Sequence, residues 1–98
     1  MKNLTLRNLT KVCNGIWHGD NALLDQEISA ITTDSRKIEK DCLFVPIVGE
    51  RVDARRFIPD VMTKGALATL SERELPEADY AYIQVEASLQ AVKDIAEF

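Results

Sequence analysis

Residues 33–56 read TDSRKIEKDCLFVPIVGERVDARR and place one short apolar run between two polar stretches. The run from Cys42 to Val48 is almost continuously apolar, which is typical of a central strand covered on both faces. The flanking stretches are rich in charged and hydroxyl side chains. The pattern therefore predicts one buried strand with a polar loop at each end, a layout that favours a site for an extended anionic ligand.

Strands and helices alternate along the rest of the chain. Apolar residues at helical spacing predict helices over residues 6–12, 59–65 and 88–98, with Thr5 and Ser88 as N-caps. Alternating or continuous apolar residues predict strands over residues 15–18, 28–33, 66–70 and 80–85. This alternation, with short connections, indicates an α/β fold, a small layered domain with a mixed or mostly parallel sheet flanked by helices.

The composition indicates one folded domain. The 98 residues are 46% hydrophobic and 29% charged, and their formal net charge of -4 gives no support to a nucleic-acid partner. No apolar run approaches the roughly 20 residues of a membrane span. No signal peptide precedes Cys13 or Cys42, so we expect a cytoplasmic protein whose thiols are reduced rather than joined in a disulfide.

Familiar catalytic motifs are absent from the sequence. It contains no phosphate loop of the GxxxxGK[ST] type, no GxGxxG, no HExxH and no paired Cys/His metal spacing. His18 is the only histidine, and its place beside a turn favours solvated surface over a catalytic base, because nothing nearby supplies a partner. The residues alone therefore indicate a binding or regulatory module.

The two polar loops allow two interpretations. Ser35 and Arg36 could donate hydrogen bonds to a nucleotide base or phosphate, while the arginines of residues 51–56 could meet a diphosphate. Alternatively, Asp34 and Asp53 cap turns, and the arginines lie on a solvated surface beside them. Turn chemistry alone explains Asp and Ser at such positions, so the residues by themselves favour the second interpretation.

The order of the motifs resembles the N-terminal domain of the Mur ligases, enzymes that extend the peptidoglycan stem peptide. The matching motifs are TDSR at residues 33–36, CLFVP at 42–46, GERVDARRF at 49–57 and GA at 65–66. The resemblance implies one UDP-substrate-binding domain over residues 1–98, without the ATP-binding central domain and the C-terminal domain. Because the last helical pattern is still running at Phe98, we expect a piece of a longer protein.

Two branches of the family share this domain type, one adding the third stem-peptide residue and the other adding D-alanyl-D-alanine to UDP-MurNAc-tripeptide. The run Gly49-Glu50-Arg51, followed by Asp53-Ala54, resembles the second branch more closely, as does Cys42-Leu43-Phe44. The resemblance implies UDP-MurNAc-tripeptide as ligand, with ATP and Mg²⁺ as cofactors of the full-length enzyme and none in these residues. The third-residue ligase and a non-catalytic α/β interaction module are the alternatives.

Carried over position by position, the resemblance implies a UDP-binding site at Thr33, Ser35, Arg36, Gly49, Glu50, Arg51, Val52 and Asp53. Thr33 and Ser35 match residues that contact uridine, and residues 50–52 match the loop near the diphosphate. Arg36 and Asp53 match residues that brace these loops. No catalytic residue and no metal ligand is implied, so we expect this chain to catalyse nothing alone.

The sequence departs from the family pattern at two places. Arg55 stands where histidine is frequent, and Lys40-Asp41 replaces a common Pro-Gly turn before the strand. The first departure could add positive charge near a phosphate, and the second changes the expected turn.

Overall fold

The computed structural model describes residues 4–34, 36–46, 58–75, 78 and 80–97. Within these ranges the α-helices are α1 (Leu6–Val12), α2 (Ile58–Thr63) and α3 (Ser88–Glu97). The strands are β1 (Ile16–His18), β2 (Ile31–Thr32), β3 (Leu43–Phe44), β4 (Ala68–Ser71) and β5 (Tyr82–Gln84). A 3₁₀ turn, Asn21–Leu23, follows β1.

The strands form one sheet in the order β1-β5-β4-β3-β2. Strands β2 to β5 pair in parallel, and β1 pairs antiparallel with β5. The predicted α/β fold with a mixed, mostly parallel sheet is therefore confirmed. β4 lies in the middle of the sheet, and β3, which belongs to the apolar run that begins at Cys42, is an interior strand between β4 and the edge strand β2.

The two faces of the sheet bury two separate apolar clusters. The larger cluster packs Leu43 and Val45 against residues of α1 and α3. The smaller cluster packs Cys42 and Phe44 against α2. Successive residues of a strand point to opposite faces, so this division explains why residues 42–46 are buried throughout and confirms the prediction of a strand covered on both sides.

Local signals place α1 as predicted. The Thr5 hydroxyl accepts a hydrogen bond from the Asn8 N–H at 3.2 Å, as an N-cap residue does. After the helix, Asn14 adopts a φ of 54°, the left-handed conformation that commonly ends helices. Both ends of α1 therefore depend on residues within or next to the helix.

The N-terminus of α3 differs from the prediction. Ser88 is the first helical residue, and its N–H donates to the Glu72 carboxylate at 2.7 Å. The predicted Ser88 cap is therefore wrong, because a carboxylate from the end of β4 takes this place. A negative charge there also interacts favourably with the helix dipole, so the bond ties the end of β4 to α3.

The strand predicted over residues 28–33 is shorter in the structure, where it is β2 (Ile31–Thr32). The main chain of this segment hydrogen-bonds to different neighbouring segments along its length. The Ile28 N–H donates to the Leu4 carbonyl at 3.0 Å, whereas the Ser29 N–H donates to the Asp41 carbonyl at 2.9 Å. Continuous pairing with β3 begins only where the Leu43 N–H reaches the Ala30 carbonyl at 2.8 Å. The change of partner shortens the strand.

Candidate functional site

The C-terminal edge, defined here as the edge at which β2, β3, β4 and β5 end, collects the polar loops. β2 and β3 pair in parallel with Thr32 opposite Phe44. Beyond that pair, the Val45 N–H donates to the Thr32 carbonyl at 2.9 Å. The loop that follows Thr32 and the chain that leaves β3 through Pro46 therefore start side by side.

This arrangement corrects the expectation that the two loops lie at opposite ends of one strand. The polar segment from Thr33 to Asp41 crosses back over the sheet from the end of β2 to the start of β3. Its last residue returns to the opposite edge, where the Asp41 N–H donates to the Gly65 carbonyl at 2.8 Å. Thr33 and Arg36 therefore share the C-terminal edge with the start of the second loop.

The first loop is held by its own side chains. The Asp34 carboxylate accepts hydrogen bonds from the Arg36 main-chain N–H at 2.9 Å and from its Nε and Nη2 at 3.2 and 3.3 Å. These bonds hold the pKa of Asp34 below its usual value, with the Arg36 side-chain bond as the main cause. The interpretation that Asp34 caps a turn is confirmed, and Arg36 stays exposed.

We expect Arg36→Gln to raise the pKa of Asp34 towards its ordinary value, because the guanidinium bonds are lost. An NMR titration of the side-chain carboxyl carbons measures this pKa. A lowered folded pKa contributes stability that is present above the unfolded pKa and lost as pH falls, so the variant should lose less stability on acidification. Arg7→Gln is the control, because it breaks the 3.1 Å bridge from Arg7 on α1 to Asp25. An unchanged Asp34 pKa in Arg36→Gln would contradict the assignment.

The structure describes two of the predicted site residues. Thr33 directly follows β2, and Arg36 lies two residues beyond Asp34; both are exposed. Six predicted positions lie outside the described residues: Ser35, Gly49, Glu50, Arg51, Val52 and Asp53. Pro46, which is buried, is the last described residue before the second loop, so the structure fixes where that loop starts.

A third group of polar residues at the C-terminal edge follows β4. The Ser71 hydroxyl accepts from the Arg73 N–H at 3.1 Å and donates to the Arg73 carbonyl at 2.7 Å. Between them, Glu72 bonds α3. Ligands of open α/β sheets commonly bind beyond the carboxyl ends of the strands, which is where these polar side chains lie.

The profile of the Mur ligase family, catalytic domain, matches residues 27–98, which is more than half of the chain. The chain belongs to the Mur ligase family. This Mur ligase chain is 40% identical over 76 residues to UDP-N-acetylmuramoyl-tripeptide--D-alanyl-D-alanine ligase of Buchnera aphidicola. It is 45% identical over 76 residues to UDP-N-acetylmuramoyl-L-alanyl-D-glutamate--2,6-diaminopimelate ligase of Cytophaga hutchinsonii. The two matches cover 76% and 74% of this chain but 16% and 15% of the relatives.

A solved structure shares the fold of this Mur ligase chain. MurF from Acinetobacter baumannii superposes with a TM-score of 0.81 at 32% sequence identity, over 93% of this chain and 20% of that one. The predicted resemblance to a Mur ligase N-terminal domain is thereby confirmed.

His18 of the Mur ligase chain packs against β5 and is not solvated surface as predicted. Its ring stacks on Tyr82 with 4.4 Å between ring centroids, and its Nε2 lies 2.9 Å from the Gln84 Oε1. The prediction was wrong because the partners come from a strand more than sixty residues away in the sequence. The ring thus contributes to packing between β1 and β5.

Both cysteines of the Mur ligase chain are free and buried, as the expectation of reduced thiols requires. Burial, with a smaller contribution from the charge of Asp94, raises the pKa of Cys13 to about 11, and burial also raises the pKa of Cys42. Among the described residues, no three His, Cys, Asp or Glu side chains come together to hold a metal ion. No described helix is long and apolar enough to cross a membrane.

Proposed function

We propose that this chain is the UDP-binding N-terminal domain of a ligase that adds D-alanyl-D-alanine to UDP-MurNAc-tripeptide in peptidoglycan synthesis. The observation that carries the proposal is the parallel pairing of β2 with β3, which starts both polar loops at one edge. An extended ligand can then span them. The Buchnera relative, whose name describes this activity, and the likeness to the Acinetobacter MurF structure support the choice.

In this proposal the first loop binds uridine and the second binds the diphosphate. Thr33 and Ser35 offer hydroxyl groups to the uracil and ribose, and Arg36 is set in place by its bonds to Asp34. Gly49 lets the loop backbone come close to the phosphates, while Glu50, Arg51 and Val52 line them. Asp53 braces that loop, and an arginine can bind phosphate through two parallel hydrogen bonds.

The ATP and Mg²⁺ of the proposed ligase belong to other domains. We place the ATP-binding and C-terminal domains, as further parts of the same chain, around the substrate that this domain holds. The domain alone should bind the substrate weakly and ligate nothing.

We place the ligase in the cytoplasm as part of the same proposal. Free cysteines are typical of a reducing compartment, and both cysteines here are free. The acidic net charge of -4 gives no reason to expect a nucleic-acid partner.

An NMR titration of this chain with UDP-MurNAc-tripeptide tests the site. The expected result is amide shift changes at Thr33, Asp34 and Val45, at the C-terminal edge, and none around Arg7 on the first turn of α1. Ser35→Ala and Arg51→Ala should each raise Kd by roughly tenfold, because a hydrogen bond to a charged or tightly held group contributes about 1.5 kcal/mol.

The matched control is Arg7→Ala, which removes another exposed arginine and should leave Kd unchanged. Binding that persists unaltered in both Ser35→Ala and Arg51→Ala would contradict the site. Shift changes confined to the opposite edge would contradict it as well.

The third-residue ligase is a second candidate, favoured by the 45% identity to the diaminopimelate-adding relative. Assays of the full-length protein separate the two. Ligation of D-alanyl-D-alanine to UDP-MurNAc-tripeptide supports the first candidate, and ligation of diaminopimelate to UDP-MurNAc-L-alanyl-D-glutamate supports the second. A non-catalytic module would do neither, and its reading frame would lack a GTGK[ST]-type phosphate loop soon after Phe98.

A further inference from the structure

We propose that the groove between the end of α1 and α3 is a docking site for a lysine or arginine side chain from the ATP-binding domain of the full-length ligase. The inference rests on the proposed function and concerns a surface that the proposed ligand site does not use. The lining of this α1–α3 groove includes Cys13, the C-cap of α1, and residues in and just before α3: Glu86, Ala87, Gln90, Ala91 and Asp94.

The α1–α3 groove has room for a long side chain. Its cavity has a volume of about 450 Å³, within the range of natural ligand pockets. Cys13 and Ala91 give it an apolar floor, with 8% and 3% of their surface exposed. A lysine or arginine side chain lays its hydrocarbon stem on such a surface and keeps its charged end among polar groups. The floor therefore fits the stem of a basic side chain.

The rim of the α1–α3 groove is acidic. Glu86 and Asp94 bring two carboxylates to it, and the Gln90 Nε2 donates to the Asp94 Oδ1 at 3.0 Å. Lys11 and Lys93 of the two helices lie outside the lining, and no described lining residue is basic. α1 also ends here, and the C-terminus of a helix carries partial negative charge. The rim is therefore complementary to a cation.

The charge of Asp94 acts on the floor of the groove as well as on its rim. The Cys13 thiol lies against α3, where it donates a weak bond to the Ala91 carbonyl at 3.9 Å. Burial raises the pKa of this thiol to about 11, and the charge of Asp94 is the second cause of the rise. A carboxylate that disfavours an anion on the floor favours a cation there. Asp94 therefore attracts a basic side chain into the groove.

The position of the groove indicates which partner reaches it. Ile16 of β1 pairs with Gln84, the last residue of β5, and α3 begins shortly afterwards at Ser88. The chain from Cys13 into β1 therefore meets the start of α3 at the C-terminal edge, where the proposed ligand site also lies. The Buchnera relative has 84% of its length outside the match, since the chain covers 16% of it. In the proposed function the ATP-binding domain surrounds the ligand at this edge, so it is the neighbour that can supply the basic side chain.

Hydrogen exchange of the full-length protein and of this chain tests the inference. In the full-length protein the amides of residues 90–94 should exchange roughly tenfold more slowly than in this chain, because a docked segment restricts local opening. Glu86→Gln combined with Asp94→Asn should abolish most of this difference, since only the two charges are lost. In this chain alone the same pair should change the exchange by roughly twofold at most, as exposed substitutions do.

The matched control is Glu39→Gln combined with Glu74→Gln. It removes two exposed carboxylates that do not line the groove, and it should keep the full difference in exchange. If the full-length protein ligates D-alanyl-D-alanine but the exchange does not depend on Glu86 and Asp94, the proposed function stands and the role of the groove is overturned.

Two further outcomes would overturn the inference. A dimer of this chain that dissociates in the Glu86→Gln and Asp94→Asn variant, measured by analytical ultracentrifugation, would assign the groove to a second copy. A full-length protein that ligates nothing to UDP-MurNAc-tripeptide would contradict the proposed function, and the assignment of the groove to an ATP-binding domain would fall with it.

Discussion

Replacing Phe44 with alanine is expected to lower the free energy of unfolding by about 3–5 kcal/mol. Phe44 is fully buried and packs in the smaller cluster with Ile58 and Val61 of α2. Its ring joins β3 to α2, and few other large apolar side chains belong to that cluster. Because small domains are stable by only about 5–15 kcal/mol, this one substitution should remove a large part of the total.

Urea unfolding followed by circular dichroism measures the loss. Leu89→Ala is the control, because Leu89 lies on α3 with 65% of its surface exposed, and exposed substitutions change stability by about 0.5 kcal/mol or less. Phe44→Leu should fall between the two, since it leaves a smaller cavity. A Phe44→Ala variant as stable as Leu89→Ala would show that α2 does not pack on β3 as described.

Gly19→Ala is expected to lower the free energy of unfolding by about 2–5 kcal/mol, as backbone strain and overpacking act together. Gly19 has a φ of 149°, which side chains with a Cβ rarely adopt. A Cβ added there would lie 2.8 Å from the Cβ and 3.0 Å from the Cα of Ala81. Because Ala81 immediately precedes β5, relief of this contact must move backbone.

Gly65→Ala is the matched control for Gly19→Ala. Gly65 also has a positive φ, of 115°, but the nearest atom to an added Cβ is the Lys40 Cα at 3.5 Å. This variant should therefore show the strain alone, about 1–3 kcal/mol. Equal losses in the two variants, measured by the same urea unfolding, would show that the close approach of Gly19 to Ala81 has no energetic cost.

The sequence predicted best those elements whose signals are local. Thr5 and Asn14 bound α1 within a few residues of the helix, and Pro59 placed α2 within one residue of its observed start at Ile58. The cap of α3 was missed because Glu72 is sixteen residues away. The switch of hydrogen-bond partner from Leu4 to Asp41 between Ile28 and Ser29 was missed for the same reason, as was the packing of His18. Each depends on which distant segment becomes a neighbour in the fold.

The candidate site shows the same contrast between what local sequence signals predict and what contacts with distant segments decide. Family motifs named the residues of both loops, but counting along the chain placed the loops at opposite ends of one strand. The parallel pairing of β2 and β3, which sequence patterns do not specify, puts Thr33 and Pro46 at one edge. Strand order and register thus decide which polar residues can meet one ligand.

The turns that close β2 at Thr32 and β4 at Ser71 also bear on how such a domain can change in evolution. Each turn is anchored by a hydroxyl that belongs to a strand and bonds only main-chain atoms of the loop. The side chains at Asp34 and Arg73 take no part in those anchoring bonds. Substitutions at these loop positions therefore leave the anchors intact, and ligand preference can diverge among descendants while the sheet beneath stays the same.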